Sequence, residues 1–127
     1  MAYPSGSGSE ILRRGAIHNL VTADTTFKFD GTSPTTGTSS YVVPTNHIIT
    51  LLNVIIADQS NAAHQFQMVA ISGGVNINLV YQCDVPPFGT YVWDERMILH
   101  TGDKILIAGN ASSNFDVFYS YIDQNWE

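Results

Sequence analysis

Apolar and polar residues alternate in short runs along most of the chain, and turn residues separate one run from the next. The runs recur at intervals of roughly ten residues, a spacing typical of an all-β sandwich or barrel with short connections. The sequence therefore predicts a single antiparallel β-sandwich of about eight strands. The clearest of the predicted strands span residues 46–56, 64–71, 75–82, 89–95, 96–100, 103–109 and 114–122.

Two of these runs also predict which side chains are covered. Asn46–Ala57 is continuously apolar, which indicates a central strand covered on both faces. Phe115–Ile122 alternates instead, with the aromatic and valine side chains 115, 117, 119 and 121 on one side and residues 116, 118, 120 and 122 on the other. Ser72-Gly73-Gly74 predicts a tight hairpin turn between two strands.

The first part of the chain differs in composition from the rest. Residues 1–10 are small, polar and rich in Gly and Ser, and a pair of arginines follows at Arg13 and Arg14. We expect residues 1–14 to be a flexible, extended N-terminal arm and residues 15–127 to be the sandwich domain. Strands are predicted at Ala16–Val21 and Thr25–Phe29, and a short helix over Ser9–Arg14 is the competing prediction for the arm.

Composition limits the kinds of partner. The 127 residues suffice for one domain, and only 13% of them are charged, about half the usual share. We therefore expect part of the surface to face other protein, in a homo-oligomer or larger assembly. The net charge of −6 argues against nucleic-acid binding, and no apolar run is long enough for a membrane span. A single cysteine, Cys83, excludes an intrachain disulfide and suggests a chain made in the cytoplasm.

Catalytic and metal-binding patterns are missing from the sequence. The four histidines, at 18, 47, 64 and 100, have neither HxH nor HExxH spacing, and one cysteine cannot form a zinc cluster. Most carboxylates stand beside Gly, Asn, Ser or Pro in predicted turns, where aspartate is favoured for its bonds to the backbone. No nucleophile or nucleotide-binding motif occurs. We expect no enzymatic activity, no catalytic or metal-binding residues and no cofactor.

Six residues are candidates for an interface. Arg13 and Arg14 could pair with acidic residues of a neighbour, such as the Asp94-Glu95 region. Aromatic side chains could fill interface pockets or stack on sugar rings, and a position in the core is the alternative for the two tyrosines. These aromatic candidates are Trp93, Tyr119, Tyr121 and Trp126.

The order of segments from about Thr26 to Asp123 resembles a known group of proteins. A Tyr-Val-Val-Pro segment at Tyr41–Pro44 leads to the long apolar strand, and the motif Leu-x-x-Gly-Asp-x-Ile follows at Leu99–Ile105, before small residues and a final alternating strand. This order is similar to that of the small β-sandwich virion proteins of tailed bacteriophages. The resemblance implies a jelly-roll-like fold, trimers or higher rings, contacts with the major capsid or other virion proteins, and no catalytic residues.

The function implied by the resemblance is structural. A capsid decoration or cement subunit on the outer surface of the virion is the leading hypothesis, because the negative charge suits a position away from packaged DNA. A head–tail junction or tail accessory protein is the alternative within the same class. A carbohydrate-binding module for host recognition is the alternative from another class, and Trp93 and Trp126 motivate it.

Overall fold

A computed structural model describes residues 9–110 and 113–125, and every regular element in them is a β-strand. Within these residues no helix has the length and apolar character needed to span a membrane. The strands of this part of the chain are β1 (Ser9–Leu20), β2 (Thr25–Thr26), β3 (His47–Asp58), β4 (His64–Ser72), β5 (Val75–Val85), β6 (Thr90–Trp93), β7 (Met97–Leu99), β8 (Lys104–Gly109) and β9 (Phe115–Asn125).

The strands form two antiparallel sheets that pack face to face. Sheet A has the order β1-β9-β3-β6, and β7 pairs with β3 beside β6, so that β6 and β7 share one edge. Sheet B has the order β2-β8-β4-β5. Each sheet thus combines strands from the start, the middle and the end of the chain, as a jelly roll does. The predicted all-β, jelly-roll-like sandwich is confirmed.

The first strand is longer than the sequence analysis allowed. β1 pairs with β9 from Ser9 opposite Asn125 onwards, and a bulge interrupts the pairing only between Ile17 and Leu20. The predicted boundary between arm and domain after Arg14 therefore falls inside a strand, and the competing helix over Ser9–Arg14 does not form. Residues 1–8 of the predicted arm lie outside the described residues.

The predicted strand Thr25–Phe29 is regular only over Thr25–Thr26, where it pairs with β8 at the edge of sheet B. The predicted alternation still describes which side chains of this segment are covered: Phe27 and Phe29 are both buried in the core. The chain thus passes from sheet A in β1 to sheet B in β2, and the segment after β2 covers the inner side of β9.

An aromatic cluster fills this part of the core. The Phe27 and Tyr119 rings stack with centroids 4.3 Å apart, and Phe29 meets Tyr121 edge to face at 5.0 Å. The Tyr119 hydroxyl accepts from the Lys28 N–H (2.9 Å) and donates to the Lys28 carbonyl (2.7 Å). Burial raises the pKa of Tyr119, so its hydroxyl stays protonated and keeps the donor role. These bonds fix the segment after β2 to β9.

Candidate assembly surfaces

The aromatic interface candidates do not form a common surface. Tyr119 and Tyr121 are fully buried, and both hydroxyls bond to the backbone of the segment after β2, so these side chains belong to the core and not to an exposed interface. Trp93 packs partly buried against the core from β6, and its Nε1 is buried without a hydrogen-bond partner among the described residues. Trp126 lies outside the described residues.

The two adjacent arginines point to opposite sides of sheet A. Arg13 turns to the inner side, where its Nε donates to Asp123 Oδ2 at 3.1 Å. Asp123 is buried, and its other oxygen lies 2.5 Å from His47 Nδ1. Arg14 is exposed and has no acidic partner in the described parts of the chain. Arg13 therefore stabilises the fold, and only Arg14 is available to a neighbour.

The outer face of sheet A, which points away from sheet B, carries two mainly apolar rows. Strand register places Ala16, Phe118, Ile55 and Val92 side by side across the four strand positions, and we call this set the Phe118 row. The Leu12 row comprises Leu12, Ile122, Thr50 and Ile98. Between them runs the polar row of Arg14, Ser120 and Asn53.

Two grooves flank the Phe118 side chain on this face. One has a volume of about 560 Å³ and is bordered by Leu12, Arg14, Leu52 and Asn53 as well as by Phe118. The other, of about 290 Å³, lies on the opposite side of the ring, between β1 and β3. Phe118 is 41% exposed, so a large aromatic ring stands partly in solvent between two grooves. Such an arrangement is typical of a protein interface.

The polar row contains an unsatisfied group. Asn53 Oδ1 is buried, yet it has no hydrogen-bond partner among the residues that the structure describes. A buried acceptor without a donor costs roughly 1–3 kcal/mol, and such groups are uncommon in native proteins. A turn of the Asn53 amide would bring this oxygen to the outer face of sheet A, where a molecule seated on that face could supply a donor.

The incomplete cover of β3 also indicates that the outer face of sheet A meets a partner. The apolar run of β3 predicts a strand covered on both sides, and β3 does lie inside sheet A, between β9 and the β6/β7 edge. Its inward side chains, such as Ile49 and Ile56, are fully buried, but outward ones such as Ile48 and Ile55 keep part of their surface in solvent. The predicted cover is thus present on one face only within a single subunit.

A serine, a histidine and an aspartate meet in the turn after β3, in a cluster that sequence reasoning missed. Ser60 Oγ lies 2.8 Å from His64 Nδ1, and Asp58 Oδ2 lies 3.4 Å from the same nitrogen. A serine nucleophile instead needs its hydroxyl on one ring nitrogen and the aspartate on the other. Asp58 Oδ1 also accepts from the Ser60 N–H and hydroxyl, as in a turn. The cluster closes the β3–β4 connection.

Acid is expected to weaken the fold through this turn. Burial acts to raise the pKa of Asp58, but hydrogen bonds from Ser60 and His64 outweigh it and hold the pKa below the ordinary 3.8. Between the pKa values of the folded and the unfolded state, the folded state binds fewer protons than the unfolded state. The stabilisation is therefore complete above pH 3.8, the unfolded pKa, and is lost as the pH falls through the folded pKa. Denaturant titrations at several acidic pH values should show that the free energy of unfolding falls less steeply with decreasing pH for Asp58→Asn than for the wild type. Equal slopes would contradict this assignment.

Comparison with known proteins adds information on the fold. No protein-family model matches the chain, and no curated protein matches it. A solved structure described as Bacillus endospore appendages, a novel family of disulfide-linked pili, aligns over 100% of this chain and 97% of its own, with a TM-score of 0.50 and 14% identity. At this identity the likeness shows a shared fold.

A second solved structure is more distant. The infectious bursal disease virus Gx strain aligns with 91% of this chain but with only 36% of its own chain, at 5% identity and a TM-score of 0.34. That score is too low to support an argument about this chain. The comparisons therefore place the chain in a β fold that a pilus subunit also has.

Proposed function

We propose that this chain is a non-enzymatic structural subunit of a virus particle, and that it decorates or cements the capsid of a tailed bacteriophage from the outside. The observation that carries the proposal is the outer face of sheet A, with its two apolar rows and the unsatisfied Asn53. A neighbouring virion protein seated there would complete the cover of β3 and give Asn53 a donor.

Apolar burial supplies the mechanism of attachment. The exposed parts of Phe118 and Val92 leave the water when the outer face of sheet A meets its partner, and each contributes about half of the roughly 1.5–3 kcal/mol that full burial of such a side chain supplies. Small contacts of this kind, repeated over a shell, stabilise a particle without chemistry. The net charge of −6 suits the outside of a capsid, away from packaged DNA.

Disulfide bonds alone cannot join a continuous array of these subunits. The pilus structure with the same fold is described as disulfide-linked. The 127 residues of this chain contain one cysteine, Cys83, which can form at most one disulfide bond. One thiol cannot link a subunit covalently to two neighbours, so a continuous array of these subunits depends on packing and hydrogen bonds.

Copy number tests the proposal and its alternative together. Quantitative mass spectrometry of purified particles, normalised to the major capsid protein, should find this chain at a ratio that matches repeated sites over the whole shell. A ratio that matches one ring per particle would instead indicate the head–tail junction or the tail. Absence of the chain from washed particles would contradict a virion function.

A further inference from the structure

The free edge of β1 is covered over only half of its length. The Ala16 N–H donates to Ser33 Oγ at 3.1 Å, and the His18 carbonyl accepts from the Thr36 hydroxyl at 3.1 Å. Both groups point away from β9, and alternate residues of a strand point their backbone groups to the same side. Leu12 and Arg14 therefore also turn their N–H and C=O to this edge, where no hydrogen bond within the described chain occupies them.

The opposite edge of sheet A consists of two short strands, β6 and β7, and the break between them lies at the level of Arg14. β6 and β7 both pair with β3, and the charged segment Asp94–Arg96 separates them. The Leu12 row ends at Ile98 in β7. The polar row, which begins at Arg14, ends at this charged segment. Residues 11–14 of β1 thus each have a counterpart at the same level on the other edge.

Strand direction allows a second copy to continue the sheet. Neighbouring strands of sheet A are antiparallel throughout, from β1 through β9 and β3 to β7. A copy shifted sideways, without a change of height, therefore places its β7 antiparallel to β1 of the first copy. Leu12, 71% exposed, then meets the second copy's Ile98, which is 63% exposed. These two have the most exposed large apolar side chains on the outer face of sheet A.

The charged side chains favour the same alignment of β7 beside β1 of a neighbouring copy. Arg14 is exposed and lacks an acidic partner, and Asp94 and Glu95 are exposed and lack a basic one, among residues 9–110 and 113–125. The sideways shift brings Arg14 of one copy beside the second copy's Asp94 and Glu95. Opposite charges across an interface favour the correct partner and the correct register.

We propose that a second copy of this chain adds its β7 and its Asp94–Glu95 pair to the open half of β1, over residues 11–14. This inference rests on the proposed structural function and names the contact between copies. The Ser33 and Thr36 cap blocks the positions that would face β6, so only β7 joins. The contact uses two different edges, so repetition gives a closed ring or an open filament.

Charge reversal on each side tests the contact in solution. Arg14→Glu alone, or Asp94→Lys with Glu95→Lys, should raise the Kd of self-association about tenfold or more, because like charges then face each other. An equimolar mixture of the two variants should associate more strongly than either variant alone, since unlike copies present opposite charges to each other. Sedimentation velocity at low and at physiological ionic strength measures the self-association of the wild type, of each reversal variant and of the mixture. Salt should reduce the differences in Kd between these samples, because it screens the charges.

Matched controls separate this contact from other causes. Asp24→Lys changes the net charge at an exposed loop position that belongs to neither the β1 edge nor the β7 edge of sheet A. It should leave the Kd of self-association unchanged. Circular dichroism and thermal unfolding check that every variant is folded. Unchanged association of both reversal variants, no stronger association on mixing, or a wild-type chain that is monomeric at its highest soluble concentration would each overturn the contact. The proposed function fails separately, if the chain is absent from particles.

Discussion

Replacing Asp123 by alanine is expected to lower the free energy of unfolding by about 2–4 kcal/mol, because two partly buried partners each lose a hydrogen bond to a buried carboxylate. The Asp123 carboxylate is 3% exposed and contacts both Arg13 and His47. Its loss leaves the Arg13 guanidinium, on β1, and the His47 ring, on β3, without their acceptor. Urea titration followed by circular dichroism measures the change.

A second aspartate on the same strand provides the control. Asp116 also pairs with a histidine, His18, at 2.6 Å, but both side chains are exposed. Exposed pairs of this kind contribute little, so Asp116→Ala should cost less than about 1 kcal/mol. Similar losses for the two alanine variants would show that Asp123 does not join β1 and β3 as described.

Replacing Phe118 by lysine is expected to weaken attachment to the particle about 100-fold, without unfolding the domain. The ring lies between the two grooves of the outer face of sheet A and is partly exposed in the free subunit. Aromatic side chains in such positions commonly contribute 2 kcal/mol or more, roughly thirtyfold in Kd, and a buried unpaired charge adds to the loss. Binding of purified variants to particles stripped of this protein measures the effect.

Tyr81 offers a control on the other sheet. It is an aromatic residue of β5 and is 64% exposed, more than Phe118. If attachment depended on general hydrophobicity, Tyr81→Lys would weaken it at least as much. We expect normal binding for Tyr81→Lys, and equal losses for the two variants would contradict a specific role of sheet A.

Local patterns in the sequence predicted most of the sandwich. The alternation in β9 correctly separated the side chains of Phe115 and Tyr119 from that of Phe118. The turn at Gly73-Gly74 forms as predicted, with positive φ values of 59° and 78° that glycine adopts without strain. Each of these features depends on residues close together in the chain, which is why pattern alone was sufficient.

The first half of β1 could not be predicted in the same way. Ile11-Leu12-Arg13-Arg14 places residues of like character next to each other, so no alternation marks a strand. Arg13 turns inward and pairs there with Asp123, from the far end of the chain. Pairing over this distance leaves no local signal.

The candidate surface was only partly accessible to sequence reasoning. The low charge favours a surface that meets other protein, which stays a prediction, whereas the aromatic candidates Tyr119 and Tyr121 belong to the core. Which side of β9 faces the second sheet depends on the packing of distant strands. The apolar character of β3 was the stronger signal, since a run without polar alternation needs cover on both faces and the subunit covers one.

Hydroxyl-radical footprinting of the free and the particle-bound subunit can show whether the outer face of sheet A is the assembly surface, because it reports the solvent exposure of individual side chains. We expect Phe118 and Leu12 to lose reactivity on the particle, whereas Tyr81 on β5 should react equally in both states. Unchanged reactivity of Phe118 and Leu12 on the particle, or protection of Tyr81 in their place, would contradict the assignment of the outer face of sheet A as the assembly surface.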